Sequence, residues 1–202
     1  TNAFAYDLQA ACSGFLYGMS NASSMITCGR YKKVLLIGSD KMSSIIDYSD
    51  RATCIIFGDG AGGVMFEPSD SGYGWEDEYL RSDGSGRMFL NIKGGGSLFP
   101  TSEKTLEGGM HNLYQDGKTV FKYAVSEMSN AVQQIIERNE IDREKISYLV
   151  PHQANKRIID AIANRIGLPS NKIMSNIEYF GNTTAATLPL LLKDYESKLS
   201  PG

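Results

Sequence analysis

Histidine is scarce in this chain, two among 202 residues, and there are only three cysteines, Cys12, Cys28 and Cys54. None of them falls into a CxxC or HxxxH spacing, which argues against zinc and leaves no metal site to assign. An odd cysteine count without framework spacing argues against a secreted disulfide scaffold and suits a reducing cytoplasm. No apolar run approaches about 18 residues and no charged-then-apolar leader is present, so neither a membrane span nor export is indicated. Excess charge is missing too: a formal net charge of -3 gives no reason to expect nucleic acid or an anionic membrane as partner. What remains is ordinary for a globular protein, 42% hydrophobic and 21% charged, long enough for one sizeable core or two small ones. The chain opens at Thr1-Asn2 without an initiator Met and stops at Ser200-Pro201-Gly202, a turn, so the expectation is a piece of a longer polypeptide.

One stretch organises the rest. An apolar, strand-like run from Ala3 to Ala11 feeds Cys12, and Ser13-Gly14 opens a helical pattern. Phe15, Met19, Ala22, Met25 and Ile26 recur at three- and four-residue steps, the period of a helix with one buried face. A cysteine at such a joint sits beside unpaired N–H groups and the positive end of a helix dipole, which predicts a stabilised thiolate, the nucleophilic form. A buried cysteine serving as a small hydrophobe is the competing reading, and Cys12 needs partners to displace it.

Along the chain, Cys28-Gly29-Arg30 reads as a helix end and Lys33 to Gly38 as a buried strand. Gly58 to Gly63 reads as a glycine turn ahead of a strand Val64-Met65-Phe66. From Ser69 to Gly117 glycine and polar clusters break short β-like runs, of which Arg87 to Ile92 is the clearest, and hairpins and loops are expected. Helices are predicted from Lys118 to Asn139, from Ala154 to Ile166 with Gly167 closing it, and from Thr183 to Leu199. Strands are predicted at Ile146 to Val150 and Ile173 to Ile177. Strands alternating with helices at this spacing predict an α/β fold with covered sheets. Three regions follow: 1–68 with the nucleophile, a loop-rich 69–117, and 118–202.

Two candidates stand near the ends of those later strands. His152 lies in Pro151-His152-Gln153-Ala154-Asn155, and Asn182 in Gly181-Asn182-Thr183-Thr184-Ala185-Ala186. Loops at the carboxyl ends of strands are where open α/β folds place ligand-handling residues. Alone, His152 reads equally well as structural, and Asn182 reads as an N-cap. With Cys12 they form a known chemical set. Those two runs, together with Ala10-Ala11-Cys12-Ser13-Gly14-Phe15 and Phe57-Gly58-Asp59-Gly60-Ala61-Gly62, resemble β-ketoacyl-acyl-carrier-protein synthase III, in order and over essentially the whole chain. Thr187 and the Thr183-Thr184 pair stand where relatives commonly have Ser and Thr-Ser.

The resemblance implies a thiolase-like fold of two related sheet-and-helix halves, with an N-terminal portion and the last strands lying outside this chain. It implies the initiating condensation of type II fatty-acid synthesis: Cys12 takes an acyl group from acyl-coenzyme A, and malonyl-acyl carrier protein loses carbon dioxide and attacks it. His152 and Asn182 would donate hydrogen bonds to the malonyl thioester oxygen. It carries Arg51 over to the coenzyme A adenine, and Asn155, Gly117 and Phe121 to the pantetheine tunnel. Arg157, with Lys122 and Arg165, would form a basic rim for the acidic carrier protein, although Lys122 and Arg165 read better as solvated surface charges and Arg157 as functional. No resident cofactor is implied, since acyl-coenzyme A is a substrate, and a homodimer is implied by the family alone.

Other readings stay open. Gly58, Gly60 and Gly63 satisfy GxGxxG, but a strand follows where a dinucleotide site needs a helix. The order Cys, His, Asn also occurs in papain-like hydrolases, whose local C-G-S-C-W signature is missing. A secondary-metabolite condensing enzyme, a 3-hydroxy-3-methylglutaryl-coenzyme A synthase and a non-catalytic fragment complete the alternatives. The Pro-His-Gln-Ala-Asn run favours synthase III over the second of these.

Overall fold

The computed structural model describes residues 2–200. Its first segment departs from the sequence reading: residues 2–10 form no strand. A strand needs a neighbour to take its N–H and C=O groups, and none lies beside this segment among the described residues. Its aromatics find one another instead, Phe4 with its ring 6.2 Å from Tyr6 and 5.5 Å from Tyr31.

A 3₁₀ turn, Ala11–Ser13, leads directly into helix α1, Gly14–Thr27. The helix buries Phe15, Gly18 and Ala22, as the periodicity predicts, and ends at Cys28 with Gly29 left-handed at φ 71°. Gly18 lets Leu36 pack close, since a methyl there would meet Leu36 Cδ1 at 2.4 Å and turn that side chain aside.

Strand β1, Val34–Asp40, pairs antiparallel with β2, Gly60–Phe66, in the register Val34↔Phe66 to Asp40↔Gly60. The expected fully buried strand is covered on one face only. Leu35, Ile37 and Met65 are 57%, 60% and 51% exposed on the other. The expected turn at Gly58 to Gly63 is also corrected, for β2 begins at Gly60. The bare backbone there lets a later helix come close: a methyl on Gly62 would sit 3.0 Å from Pro189 Cβ.

In 69–117 the regular pieces are a 3₁₀ turn Gly84–Gly86, β3, Leu90–Asn91, the short helix α2, Glu103–Glu107, and β4, Tyr114–Gln115. β3 and β4 form a two-residue ladder, so the run Arg87 to Ile92 is strand only at Leu90 and Asn91, after a turn at 87–89. Helix α3, Gly117–Arg138, starts on Asp116, whose carboxylate accepts from Thr119 N at 3.1 Å. It packs through Phe121, Ala124, Val125, Met128 and Val132 against Ile158, Ile162 and Ile166 of α4, Lys156–Ile166. Gly167, φ 73°, closes α4 where the sequence places the stop.

The strands expected at 146–150 and 173–177 reduce to one parallel bridge, Leu149↔Ile173, each segment having one neighbour among the described residues. Ile177 already begins a short helix, α5, Ile177–Phe180. The long helix expected at 183–199 is split into a 3₁₀ turn Thr184–Ala186, helix α6, Thr187–Asp194, and a 3₁₀ turn Glu196–Lys198. Pro189 falls in the first turn of α6, where a missing N–H removes no helical bond. α6, the turn before it and α1 lie against β1 and β2 and form the covered side of that sheet.

Candidate active site

The turn Thr184–Ala186 is the floor on which the predicted residues meet. The Cys12 turn packs directly against it, and a methyl added at Gly14 would lie 3.7 Å from Ala185 Cβ. Ala11, just before Cys12, holds φ 46°, a left-handed value that costs a non-glycine residue energy and gives the chain a sharp corner at the nucleophile.

The electrostatics of Cys12 reverse the expectation. Its thiol is pushed up to about 11, mainly by burial and then by the Asp40 carboxylate, against a smaller lowering by a backbone hydrogen bond. The helix end is there, but removing a thiolate from water outweighs it. At rest Cys12 is a thiol.

Asn182 follows the short helix α5 and Gly181 rather than a strand. Its backbone is clamped on both sides, donating to Ile56 O at 2.9 Å and accepting from Gly58 N at 3.0 Å. Gly181 must be glycine, with φ 65°, ψ -157° and Ile56 O 2.9 Å from where a Cβ would be. The Asn182 side chain does act as a cap: Oδ1 accepts from Thr184 N at 2.9 Å. That bond aims the amide and leaves its Nδ2 to donate, so capping and donation are compatible in one residue.

His152 follows the bridged segment at Leu149. Its loop is held by the buried Gln153, which donates to Pro151 O at 2.8 Å and accepts from Asn176 N at 3.1 Å. His152 Nδ1 lies 2.6 Å from Thr187 Oγ1, and that oxygen lies 3.0 Å from Thr184 O. Burial pushes the imidazole down to about 4, so it is neutral at neutral pH. The Cys12 turn and His152 thus abut the segment 182–187, through packing and through Thr187, and Asn182 lies within it, tied to Thr184.

The remaining candidates divide. Gly117 and Phe121 lie at the start of α3, Asn155 and Arg157 at the start of α4, and the Arg157 guanidinium stands 5.4 Å from the Phe121 ring. Asn155 caps α4, accepting from Arg157 N at 2.9 Å. Lys122 is exposed beside Phe121, whereas Arg165 is exposed in the last turn of α4, at its other end. Arg51 is exposed in the turn-rich stretch before β2, with no hydrogen bond or ion pair to the Cys12 cluster among the described residues.

The sequence reading missed Asp40, and it missed Thr187 as the partner of His152. An acidic residue at the carboxyl end of a strand was the available signal for Asp40. Among the described residues no group of three His, Cys, Asp or Glu is placed to hold a metal, and no helix is long and apolar enough to cross a membrane. The hollow lined by Phe4, Met25, Cys28 and Tyr31 lies at the far end of α1 from Cys12.

A family model described as 3-oxoacyl-[acyl-carrier-protein (ACP)] synthase III matches residues 6–84, and the model of its C-terminal portion matches residues 136–202. The chain belongs to the synthase III family. The first match contains Cys12 and Asp40, the second His152, Asn182 and Thr187. Beta-ketoacyl-[acyl-carrier-protein] synthase III 1 of Bacteroides thetaiotaomicron is 54% identical over 201 residues, covering 100% of this chain and 60% of that protein. The synthase III of Phocaeicola vulgatus is 55% identical with the same coverage. The crystal structure of synthase III from Thermus thermophilus superposes with a TM-score of 0.85 at 37% identity, over 97% of this chain and 60% of that one. The fold is therefore the thiolase-like α/β fold of synthase III, and the chain spans about 60% of the length of the curated relatives it matches.

Proposed function

We propose that Cys12, His152 and Asn182 carry out a decarboxylative condensation that joins an acyl-coenzyme A primer to malonyl-acyl carrier protein and initiates fatty-acid synthesis. The meeting of the Cys12 turn and His152 with Asn182 at segment 182–187 supports this reading, in a chain of the synthase III family. The Cys12 sulfur attacks the primer thioester, a new sulfur–carbon bond forms, and coenzyme A leaves with the thiol proton. The malonyl unit then loses carbon dioxide. The electron pair left behind forms a carbon–carbon bond to the acyl carbon and expels the Cys12 sulfur, which regains a proton from solvent.

Each residue type suits its step. Decarboxylation builds negative charge on the malonyl thioester oxygen, and asparagine, unlike aspartate, can donate to it. A preorganised donor aimed at such charge is typically worth about 3 kcal/mol. A neutral His152 supplies a second donor through Nε2–H. A thiol held high by burial gives up its proton as the sulfur attacks, and the departing coenzyme A takes it. The reaction calls for no resident cofactor. Arg51, Gly117, Phe121 and Asn155 are assigned to coenzyme A, and Arg157, with Lys122 and Arg165, to carrier protein. A homodimer and a cytoplasmic location belong to the same reading.

The test uses a polypeptide of the relatives' length that contains these 202 residues. It is incubated with radiolabelled acetyl-coenzyme A, digested, and the labelled peptide identified by mass before malonyl-carrier protein is added. Label on Cys12 that chases into a ketoacyl-carrier product supports the reading, and Cys12→Ser abolishes it. Label that ends as free acid points to a hydrolase and overturns it.

A further inference from the structure

We propose that the Thr187 hydroxyl donates its hydrogen bond to His152 Nδ1 and thereby keeps the imidazole proton on Nε2. Thr187 is then a positioning residue for the condensation proposed above, on which its catalytic consequence rests. A neutral imidazole carries one N–H, so the partner of Nδ1 decides what Nε2 offers. If Nδ1 carries the proton, Nε2 presents a lone pair, which repels an oxyanion. If Nδ1 accepts, Nε2 presents the donor that decarboxylation needs.

The Thr187 hydroxyl has one proton and two neighbours that could take it, His152 Nδ1 at 2.6 Å and Thr184 O at 3.0 Å. Two observations assign it to His152. Thr184 O already accepts the backbone N–H of Thr187, which closes the 3₁₀ turn, so that carbonyl is not left unpaired. The hydroxyl oxygen also lies nearer to Nδ1 than to that carbonyl, 2.6 Å against 3.0 Å. Thr187 is 2% exposed, so water does not compete for the hydroxyl.

Thr184 ties this arrangement to the other donor. With φ 50° it turns its N–H onto Asn182 Oδ1, while its carbonyl holds the backbone of Thr187. One strained residue therefore anchors the partners of both His152 and Asn182. A β-branched residue at positive φ is costly and persists where the surroundings over-determine it.

The test reads the tautomer directly, by ¹⁵N–¹H correlation on histidine-labelled protein of the relatives' full length. The His152 signals are identified by their loss in His152→Ala. The wild type is expected to show Nε2–H. In Thr187→Val the population shifts toward Nδ1–H, and malonyl decarboxylation slows between roughly tenfold and a hundredfold, less than outright loss of a donor, with KM little changed. Thr187→Ser restores both. Nδ1–H in the wild type overturns the proposal whether or not any variant folds, and so does an unchanged tautomer in a folded Thr187→Val. Because the spectrum is read without turnover, failure of the condensation reading would appear separately, as label that does not chase from Cys12.

Discussion

Asp40 and Ala185, 145 residues apart in sequence, are joined by one hydrogen bond from the Ala185 amide to the Asp40 carboxylate, 3.0 Å long. The bond fastens the end of β1 to the turn that underlies the Cys12, His152 and Asn182 cluster. The same carboxylate raises the Cys12 thiol, second only to burial. Structural tether and electrostatic brake are thus one side chain, and a substitution can separate them. Asp40→Asn keeps an oxygen for the Ala185 amide and removes the charge. The pH profile of Cys12 alkylation by iodoacetamide should move to lower pH, with the alkylation rate at pH 8 rising severalfold and the thermal midpoint little changed. An unmoved profile would assign the high thiol pKa to burial alone.

Gly38 lies beneath the same turn. A methyl there would come within 2.5 Å of Ala185 O and 3.1 Å of Phe15 Cδ2, against backbone on one side and the α1 core on the other. Neither can step aside cheaply. Gly38→Ala should destabilise the fold by about 1–3 kcal/mol in urea unfolding and lower activity beyond that, by displacing Ala185. Gly96→Ala meets nothing within 4 Å and should be neutral in both measurements. Equal effects at the two positions would sink the packing argument.

Helices α1, α3 and α4 were legible in the sequence because a buried stripe and a cap are local signals. Ile158, Ile162 and Ile166 announce a face and Gly167 announces the end, while the start was read at Ala154 rather than after the cap Asn155. The strands were less legible, because pairing is not a local property. Residues 3–11 and 146–150 have strand-like composition, but the ladders that would fix them need neighbours the described residues do not provide. The glycines at 60–63 read as a turn because sequence cannot show that Pro189 and Leu190 press on them. Cys12, His152 and Asn182 were found through motif and resemblance. The direction of the Cys12 shift was missed, since a helix start is visible in sequence while burial and the approach of Asp40 are products of folding. For the same reason the motif run held Thr187 but not its contact with His152.

Burial of His152 has a consequence for stability in acid. Its folded pKa is held at about 4, below the ordinary 6.5, so folding favours the neutral ring. That stability is fully present above pH 6.5 and is lost as pH falls from 6.5 toward 4, by roughly 3 kcal/mol at most. Carboxylates such as Asp59 and Asp116, lowered from 3.8 by hydrogen bonds from Ser43 and Thr119, lose their contribution only at lower pH. Urea unfolding at pH 7.5 and 4.5 should therefore isolate the histidine. His152→Gln should show a smaller difference between the two than wild type, and an equal difference would assign the acid sensitivity elsewhere.

The Arg157 guanidinium lies over the Phe121 ring, which gives the proposed carrier-protein rim a definite place to test. The pair sits where α3 and α4 both begin, beside Asn155. Arg165 lies eight residues further along α4, about 12 Å at a helical rise of about 1.5 Å per residue. If carrier protein docks at the shared helix start, Arg157→Glu should raise the KM for malonyl-carrier protein and flatten its salt dependence. Transacylation from acyl-coenzyme A should hold, because charge on a rim acts mainly on encounter rate. Arg157→Lys keeps the charge but loses the guanidinium over Phe121, so it should restore the salt dependence more fully than the KM. Arg165→Glu should do little in either assay. Matching losses at positions 157 and 165 would mean that the carrier reads the summed charge of α4, and Phe121 would then have no part in docking.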